Sequence, residues 1–364
     1  MAMLFRYITR NTVLFINLIF VVLQILALQA PYIAPSSFVW LQFIALIFPI
    51  IATIQCFFVV FWLCCRTKRN ALFSLITILL SLGAYGRVFG HLHFKTESKE
   101  ESISLLSYNV SIFTDKNKYK EIKDFLFEQD PDIICMQEFG FYKNSAISQN
   151  VILRDFSQKY PYRHLWYKNQ NSNLWWGLAT FSKYPIVKKE KIVYDSRYNV
   201  SIYSDVKIGD DTIRIINNHL ESNKFSLSDM NEYDNLANDI SKDKLSKISH
   251  KLSNKMRTAF LVREKQAEIV AQTIKETTYP LIVCGDFNDV PQSYTYSKIS
   301  QNLTDMLLEG NLGYNYTYYK HGMFVRIDNI LCSDEILPVN SAILTKDYSD
   351  HKPVTAQFKI KRNK

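Results

Sequence analysis

The sequence predicts an α+β chain in which two packed β-sheets flanked by helices are preceded by three transmembrane helices. No Asp, Glu, Lys, Arg or His occurs between Arg10 and Arg66, whereas charges are spread through every segment after Glu97. Beyond that point, short runs rich in Val, Ile, Tyr and Phe recur between turn residues. Helical periodicity is confined to a few widely placed segments, and many strands with few helices suit two sheets packed face to face.

The uncharged stretch comes first in the chain. A hydrocarbon core about 30 Å thick needs around 20 apolar residues per helix, so this stretch can cross twice, with a turn at Pro31 to Ser37. Spans are expected at Thr12 to Ala30 and Phe38 to Cys64. A third apolar run, Ala71 to Gly90, meets its first charge at Arg87, close enough to the end to snorkel into the headgroup layer. Leu28-Gln29-Ala30 is a passable signal-peptidase site, but another long apolar run follows at once, which disfavours a cleaved leader. The expected organisation is an anchor over 1–95, a linker over 96–101 and a soluble domain over 102–364.

Lys and Arg placement sets the expected orientation. Arg6 and Arg10 precede the first span, Arg66, Lys68 and Arg69 fill the link between the second and third, and the intervening turn has no basic residue. Basic flanks stay on the cytoplasmic side, so three crossings put the C-terminal domain outside, as in an integral protein of a bacterial inner membrane. A third run that is only re-entrant would leave the domain cytoplasmic. The formal charge of +9 partly reflects these flanks and says little about substrate.

Strand-like runs in the soluble region are Ile103 to Val110, Asp132 to Gln137, Tyr162 to Tyr167, Leu178 to Phe181, Ile192 to Tyr194, Ser201 to Ile208 and Thr212 to Asn217. Leu281 to Cys284, Arg326 to Cys332 and Val354 to Ile360 complete the set. Helices are expected at Tyr119 to Gln129, at Val151 to Lys159 and within Ser228 to Thr278. In the last, an apolar stripe from Leu245 to Ile274 should face the core, and Lys242, Lys244, Lys247, Lys251 and Lys255 should form a solvated face. Cys135, Cys284 and Cys332 lie in apolar runs and are expected to be buried as small hydrophobes, and no zinc-ligand spacing is present.

Several polar residues stand where a strand has just ended, so their side chains can converge at one rim. Asn109, Glu138 and His219 each follow an apolar run, Asp286 and Asn288 follow Ile282-Val283-Cys284-Gly285, Asp328 lies in Arg326-Ile327-Asp328, and Ser349-Asp350-His351 precedes the final strand. Singly, each has a plain structural explanation as a turn former or a solvated group. Their joint occurrence in this order is what points to chemistry.

That order resembles the endonuclease/exonuclease/phosphatase superfamily, over about Ser102 to Ile360. The motifs that carry the resemblance are Met136-Gln137-Glu138, Gly285-Asp286-Phe287-Asn288-Asp289, Arg326-Ile327-Asp328 and Ser349-Asp350-His351-Lys352-Pro353-Val354. The resemblance implies a four-layer α/β-sandwich and a metal-dependent phosphoesterase, either phosphodiesterase or phosphatase. A phosphoester is anionic and repels hydroxide, so such a site neutralises charge and generates a nucleophile from water. Mg²⁺ or Mn²⁺ suits the oxygen donors available. Glu138 is the expected principal metal ligand, with Asn109 beside it and Asp350 on the same or a second ion.

By the same resemblance Asp286 orients and deprotonates water, and Asn288 donates to a phosphoryl oxygen. His351 contacts the developing charge, Asp328 fixes it in its protonated form, and His219 serves the phosphoryl group or the leaving oxygen. Asn218-His219-Leu220-Glu221 resembles the histidine-bearing strand end of the sphingomyelinase, phosphatase and deoxyribonuclease I branches, and abasic-site endonucleases differ there. Trp176, Ser293 and Tyr294 are candidates to shape the substrate pocket, although packing between sheet and loop is the favoured reading for Trp175 and Trp176. The expected partners are the membrane and a phosphoester on a lipid-linked headgroup or, alternatively, nucleic acid; the sequence calls for no obligate protein partner. A non-catalytic tethered binding protein is disfavoured, because every position such a copy would be free to lose still carries its catalytic residue type.

Overall fold

The computed structural model describes residues 2–90, 102–113, 116–142, 147–171, 173–196, 199–226, 228–230, 232, 242–308 and 313–361. The linker expected at 96–101 and residues 233–241 of the expected long helix lie outside this set.

The N-terminal region is a bundle of apolar helices. Tyr7–Gln29, within the helix Ala2–Gln29, is long and apolar enough to cross a membrane alone, its 23 residues rising about 35 Å. The second and third expected spans are each a bent pair of helices rather than one continuous helix. Trp40–Leu46 meets Phe48–Cys64 at 62°, and Lys68–Leu80 meets Leu82–Phe89 at 64°. Pro49 in the first turn of Phe48–Cys64 has no N–H to continue a preceding helix, which explains the first break. The second falls at Ser81, which ends one helix and begins the next.

Buried polar side chains tie these helices together. Asn17 Nδ2 donates to Ser74 Oγ (2.8 Å) and Gln55 Oε1 (3.3 Å), and Asn17 Oδ1 accepts from Trp62 Nε1 (2.9 Å). One level on, Gln24 Nε2 donates to Ser81 Oγ at 2.7 Å. Amides and hydroxyls inside an apolar bundle must find one another, so the sequence positions of these polar residues fix which faces meet. The levels 17/55/74 and 24/81, with Ala27 on Phe48, Ala52 and Ala84, make the three segments run alternately up, down and up.

The soluble domain has two six-stranded sheets. The first contains β1 (Ile103–Asn109), β2 (Ile133–Tyr142), β3 (Tyr162–Asn171), β4 (Leu174–Ser182), β11 (Ile336–Ile343) and β12 (Val354–Ile360), in the order β11-β12-β1-β2-β4-β3. The second contains β5 (Ile186–Ile192), β6 (Val200–Ile208), β7 (Asp211–His219), β8 (Leu281–Asp286), β9 (Thr304–Asp305) and β10 (Asp328–Cys332), in the order β5-β6-β7-β8-β10-β9. Only β1/β2 and β7/β8 pair in parallel among the described strands, and each pair is joined by a crossover carrying a helix, Lys116–Gln129 or Lys242–Lys275.

Alternation along the strands builds the layers. Leu105, Ile133 and Cys135 of the first sheet meet Ile213, Ile215, Ile282, Cys284 and Ile330 of the second in the central core. On the outer faces, Ile122, Phe125, Ile152 and Phe156 of two helices cover the first sheet, and Ala267 and Val270 of the long helix cover Ile216, Val283 and Leu331 of the second. The result is the four-layer α/β-sandwich. Cys135, Cys284 and Cys332 are all buried, as expected. The core-facing stripe of the long helix is real only in its second half, since Leu245 is 48% exposed whereas Ala259, Arg263, Ala267 and Val270 are buried.

Candidate active site

Register brings the functional side chains to one rim. On neighbouring strands β7, β8 and β10, His219 pairs with Asp286 and Asp286 with Asp328, so three chemistry-bearing residues stand side by side. Gly285 makes that closeness possible: its φ is +116°, and a Cβ there would lie 2.2 Å from Asn218 O. From the opposing sheet, β1 delivers Asn109 and β2 delivers Glu138, where a bulge between Met136 and Phe139 re-aims the strand. His351 enters just ahead of β12, and Ser349 Oγ donates to Asn109 O at 2.8 Å to hold that turn in place.

Asp286 is the hub. Its Oδ2 accepts from Asn109 Nδ2 (3.1 Å) and Asn288 Nδ2 (3.2 Å), its Oδ1 accepts from the Asn288 N–H (2.8 Å), and the Nε2 atoms of His219 and His351 each stand 3.8 Å from Oδ2. His351 Nδ1 bonds Asp328 Oδ2 at 2.8 Å. Glu138 Oε1 lies 3.4 Å from Asn109 Nδ2 and 3.8 Å from His219 Nε2. Asn109, His219, Asp286, Asp328 and His351 are buried, Asn288 is half-buried, and the Glu138 side chain, 26% exposed, opens the cluster to solvent.

Burial and neighbours pull these groups apart electrically. Desolvation pushes Asp286 up to about 7, against the opposing pull of His351. Desolvation drives His219 down to about 3, helped by the charge on His351, so its imidazole is neutral near pH 7. Burial alone would also lower His351, but Asp328 and Asp286 outweigh it and hold His351 well above the ordinary histidine range. Glu138 is raised, first by burial and then by repulsion from Asp350. The surroundings therefore favour the protonated form of His351 and the neutral form of His219.

Strained backbone concentrates here. Glu138 (φ +49°), Asn288 (φ +53°), Ser111 (φ +49°) and Ile112 (φ +56°) adopt the left-handed region without being glycine. Such conformations cost about 1–2 kcal/mol per residue and cluster where function demands them.

Asn109, Glu138, His219, Asp286, Asn288, Asp328 and His351 converge, and Asp350 reaches Glu138 electrostatically while its Oδ1 accepts from Ser349 Oγ at 3.1 Å. Trp176 comes to the cluster edge-on to His219, ring centroids 5.7 Å apart, whereas Trp175 packs on Tyr167. Ser293 and Tyr294 do not converge. Ser293 caps the short helix Tyr294–Ile299, and Tyr294 N–H donates to Gln42 Oε1 of the N-terminal helical bundle at 3.1 Å, so Tyr294 faces that bundle and not the cluster. The Asn288 amide is already spent on Asp286 and on Leu220 O (2.9 Å), and so joins the Asp286 turn to the His219 turn.

Sequence reasoning missed Tyr318, whose ring lies 5.2 Å from that of His351, and Thr317, whose Oγ1 accepts the N–H groups of Ile327 and Asp328, each at 3.0 Å. The tyrosine-rich run Tyr314 to Tyr319 was the available signal. It also missed Gln137 and Asn217, joined across the two sheets at 2.7 Å beneath the rim.

Asp286, Asp328 and His351 bring ligand atoms within 4.8 Å of one another, a set that could hold a metal. The Asp328 and His351 atoms of their 2.8 Å bond are committed to each other. Glu138 and Asp350 repel each other beside a solvent opening, only partly offset by His351, Asn109 and Lys118, and oxygen donors of this kind suit a hard divalent cation.

Residues 106–351 match the family model described as endonuclease/exonuclease/phosphatase family. The chain belongs to the endonuclease/exonuclease/phosphatase family. Residues 10–88 match a second model, described as a domain of unknown function (DUF8431). No curated protein matches the chain. The endonuclease/exonuclease/phosphatase from Beutenbergia cavernae is similar in structure, with a TM-score of 0.50 at 13% identity over 72% of this chain and 72% of that one. The family protein from Leptotrichia buccalis gives 0.49 at 15% identity over 71% and 100% of the two chains. The mannosyl-6-phosphatase from Bacteroides thetaiotaomicron gives 0.45 at 16% over 71% and 100%. At these identities the likeness to the B. cavernae protein speaks to the endonuclease/exonuclease/phosphatase fold and to no particular substrate.

Proposed function

We propose that this protein is a divalent-cation-dependent hydrolase that cleaves a phosphoester at the outer membrane surface, with its substrate carried on a lipid or another envelope molecule. The observation that supports hydrolysis is the hub at Asp286, where a carboxylate raised to about 7 faces one cationic and one neutral imidazole. Glu138 is the principal ligand to Mg²⁺ or Mn²⁺ in this reading, with Asn109 and Asp350 beside it. The cation supplies charge neutralisation and a more acidic water.

The chain's own residues account for the remaining proton movements. Water attacks phosphorus while Asp286 Oδ2 takes its proton. Asn288 and Asn109 hold that carboxylate from two sides. The bond from phosphorus to the leaving oxygen breaks, and the proton that oxygen requires comes from His351 Nε2, because His351 is the protonated ring and Asp328 holds its other nitrogen. Neutral His219 offers a hydrogen bond to a phosphoryl oxygen.

A membrane substrate is supported by the helical bundle that ends against the catalytic domain, since tethering raises the effective concentration of partners at the same surface and does little for soluble ones. Full-length protein should hydrolyse vesicles containing phospho- or sphingolipids faster than DNA or RNA. Rapid degradation of nucleic acid without lipid turnover would replace this reading with a membrane-anchored nuclease.

A further inference from the structure

The helices of the anchor end against the catalytic domain, and their ends carry a physical obligation. The last carbonyls of a helix have no partner within it, and in an apolar setting an unmet carbonyl costs several kcal/mol. Here the catalytic domain meets them. Gln292 Nε2 donates to Ala27 O (3.0 Å) at the end of the first helix, Arg326 Nη2 to Arg87 O (3.1 Å) and Gly313 N to Phe89 O (2.8 Å) at the end of the last. The Arg87 side chain returns the contact, its Nη2 donating to Gln292 Oε1 at 3.0 Å. Ser36 bonds both carboxylate oxygens of Glu264 at 2.7 and 2.6 Å, and Phe43 meets Phe260 edge to face at 5.2 Å.

The domain residues that answer the anchor are the neighbours of the catalytic ones. Gln292 and Tyr294 close the loop that begins at Asp286 and Asn288, and Gln292 is only 1% exposed. Arg326 opens the segment that carries Asp328, and Phe287 N–H donates to Ile327 O at 2.8 Å, tying that segment to the Asp286 turn. Glu264 adjoins Arg263, which is fully buried and spans the site from behind: its Nε donates to Asp289 Oδ2 (3.2 Å) and its Nη1 to Glu221 O (2.6 Å), joining the turns that follow Asp286 and His219.

We infer that the anchor is a working part of the catalytic site, and that Arg87 is a positioning residue which sets the Asp286–Tyr294 loop through Gln292. The inference rests on the Asp286 cluster being the catalytic site, and it goes further by making turnover depend on the anchor even for a substrate that never touches a membrane. A simple tether would concentrate lipid substrates and leave soluble ones unaffected.

The test uses full-length protein in detergent with a small soluble diester, bis(p-nitrophenyl) phosphate, and Mg²⁺ or Mn²⁺. Arg87→Ala and Gln292→Ala should each lower kcat roughly ten- to a hundredfold, the scale of a displacement of about 1 Å at reacting groups. KM should barely move. The double variant should be no slower than the slower single, because Gln292→Ala alone already breaks the Arg87–Gln292 contact along with the bond to Ala27 O. Arg87→Lys should restore most of the rate, and Arg69→Ala, exposed at the far end of the bundle, should match the wild type. Unchanged kcat in both single variants, or losses that multiply and follow a fall in melting temperature, would overturn the inference. Hydrogen exchange over residues 287–294 needs no turnover and should quicken about tenfold in Arg87→Ala or, if that variant does not fold, in Gln292→Ala. Unaltered exchange would sink the positioning role even if the diester proved not to be a substrate, whereas quickened exchange without any diesterase activity would uphold it and count only against the hydrolase reading.

Discussion

His351 Nδ1 stands 2.8 Å from Asp328 Oδ2 with both side chains buried, and that contact decides which histidine is the cation. Asp328→Asn keeps the shape and removes the charge that holds His351 protonated. Turnover should fall by roughly 10² to 10⁴, the range of a lost general acid, with little change in melting temperature. Near-normal turnover in a folded Asp328→Asn protein would count against the acid role of His351.

Glu138 occupies a left-handed conformation and repels Asp350. Glu138→Gly relieves both, so it should raise stability by about 1 kcal/mol while abolishing activity at ordinary metal concentrations. Thermal melts and turnover on the same preparation check the trade. A loss of stability would show that Glu138 is held by contacts stronger than the strain.

His164 reports on the fold away from the site. Burial pushes it down to about 4, and its Nδ1 bonds Ser204 Oγ at 3.0 Å. The unfolded chain takes up a proton near pH 6.5 and the folded chain does not, so stability is full above that value and falls as pH drops toward 4. The loss reaches about 3 kcal/mol at most. His219, pushed down to about 3, adds to the same slope, so His164→Gln should reduce but not abolish the dependence of melting temperature on pH between 6.5 and 4; an unchanged slope would assign the acid sensitivity elsewhere.

The bundle runs up, down and up, with Arg10 and the Arg66–Arg69 link at the end opposite the catalytic domain. Protease added to intact cells or spheroplasts should therefore digest that domain. Digestion only after lysis would mean that the bent pair Lys68–Leu80 and Leu82–Phe89 does not cross.

Much of this was legible in the sequence, because strong periodicity marks elements with one buried face. Where it failed, the elements are edges. β5 reads Ile-Val-Lys-Lys-Glu-Lys-Ile and β11 contains Pro338, and both border solvent at the side of a sheet, where charge and proline guard against pairing with other chains and erase the strand signal. β9 has only two residues. The strand-end residues of the site were readable because each follows an apolar run. Tyr318 and Thr317 were not, since they act from a loop whose position is set by tertiary contacts with Asp328 and His351. Ser293 and Tyr294 were assigned by nearness in sequence to Asp286, while the chain turns there to face the anchor.

The measurement that bears most directly on the central claim is phosphoester cleavage by the full-length protein with Mg²⁺ or Mn²⁺, with chelator, and with Asp286→Asn. The account predicts cleavage that disappears in chelator, returns with the added cation and is lost by several orders of magnitude in a folded Asp286→Asn protein. Full cleavage in chelator, or an Asp286→Asn protein as fast as the wild type, would contradict it.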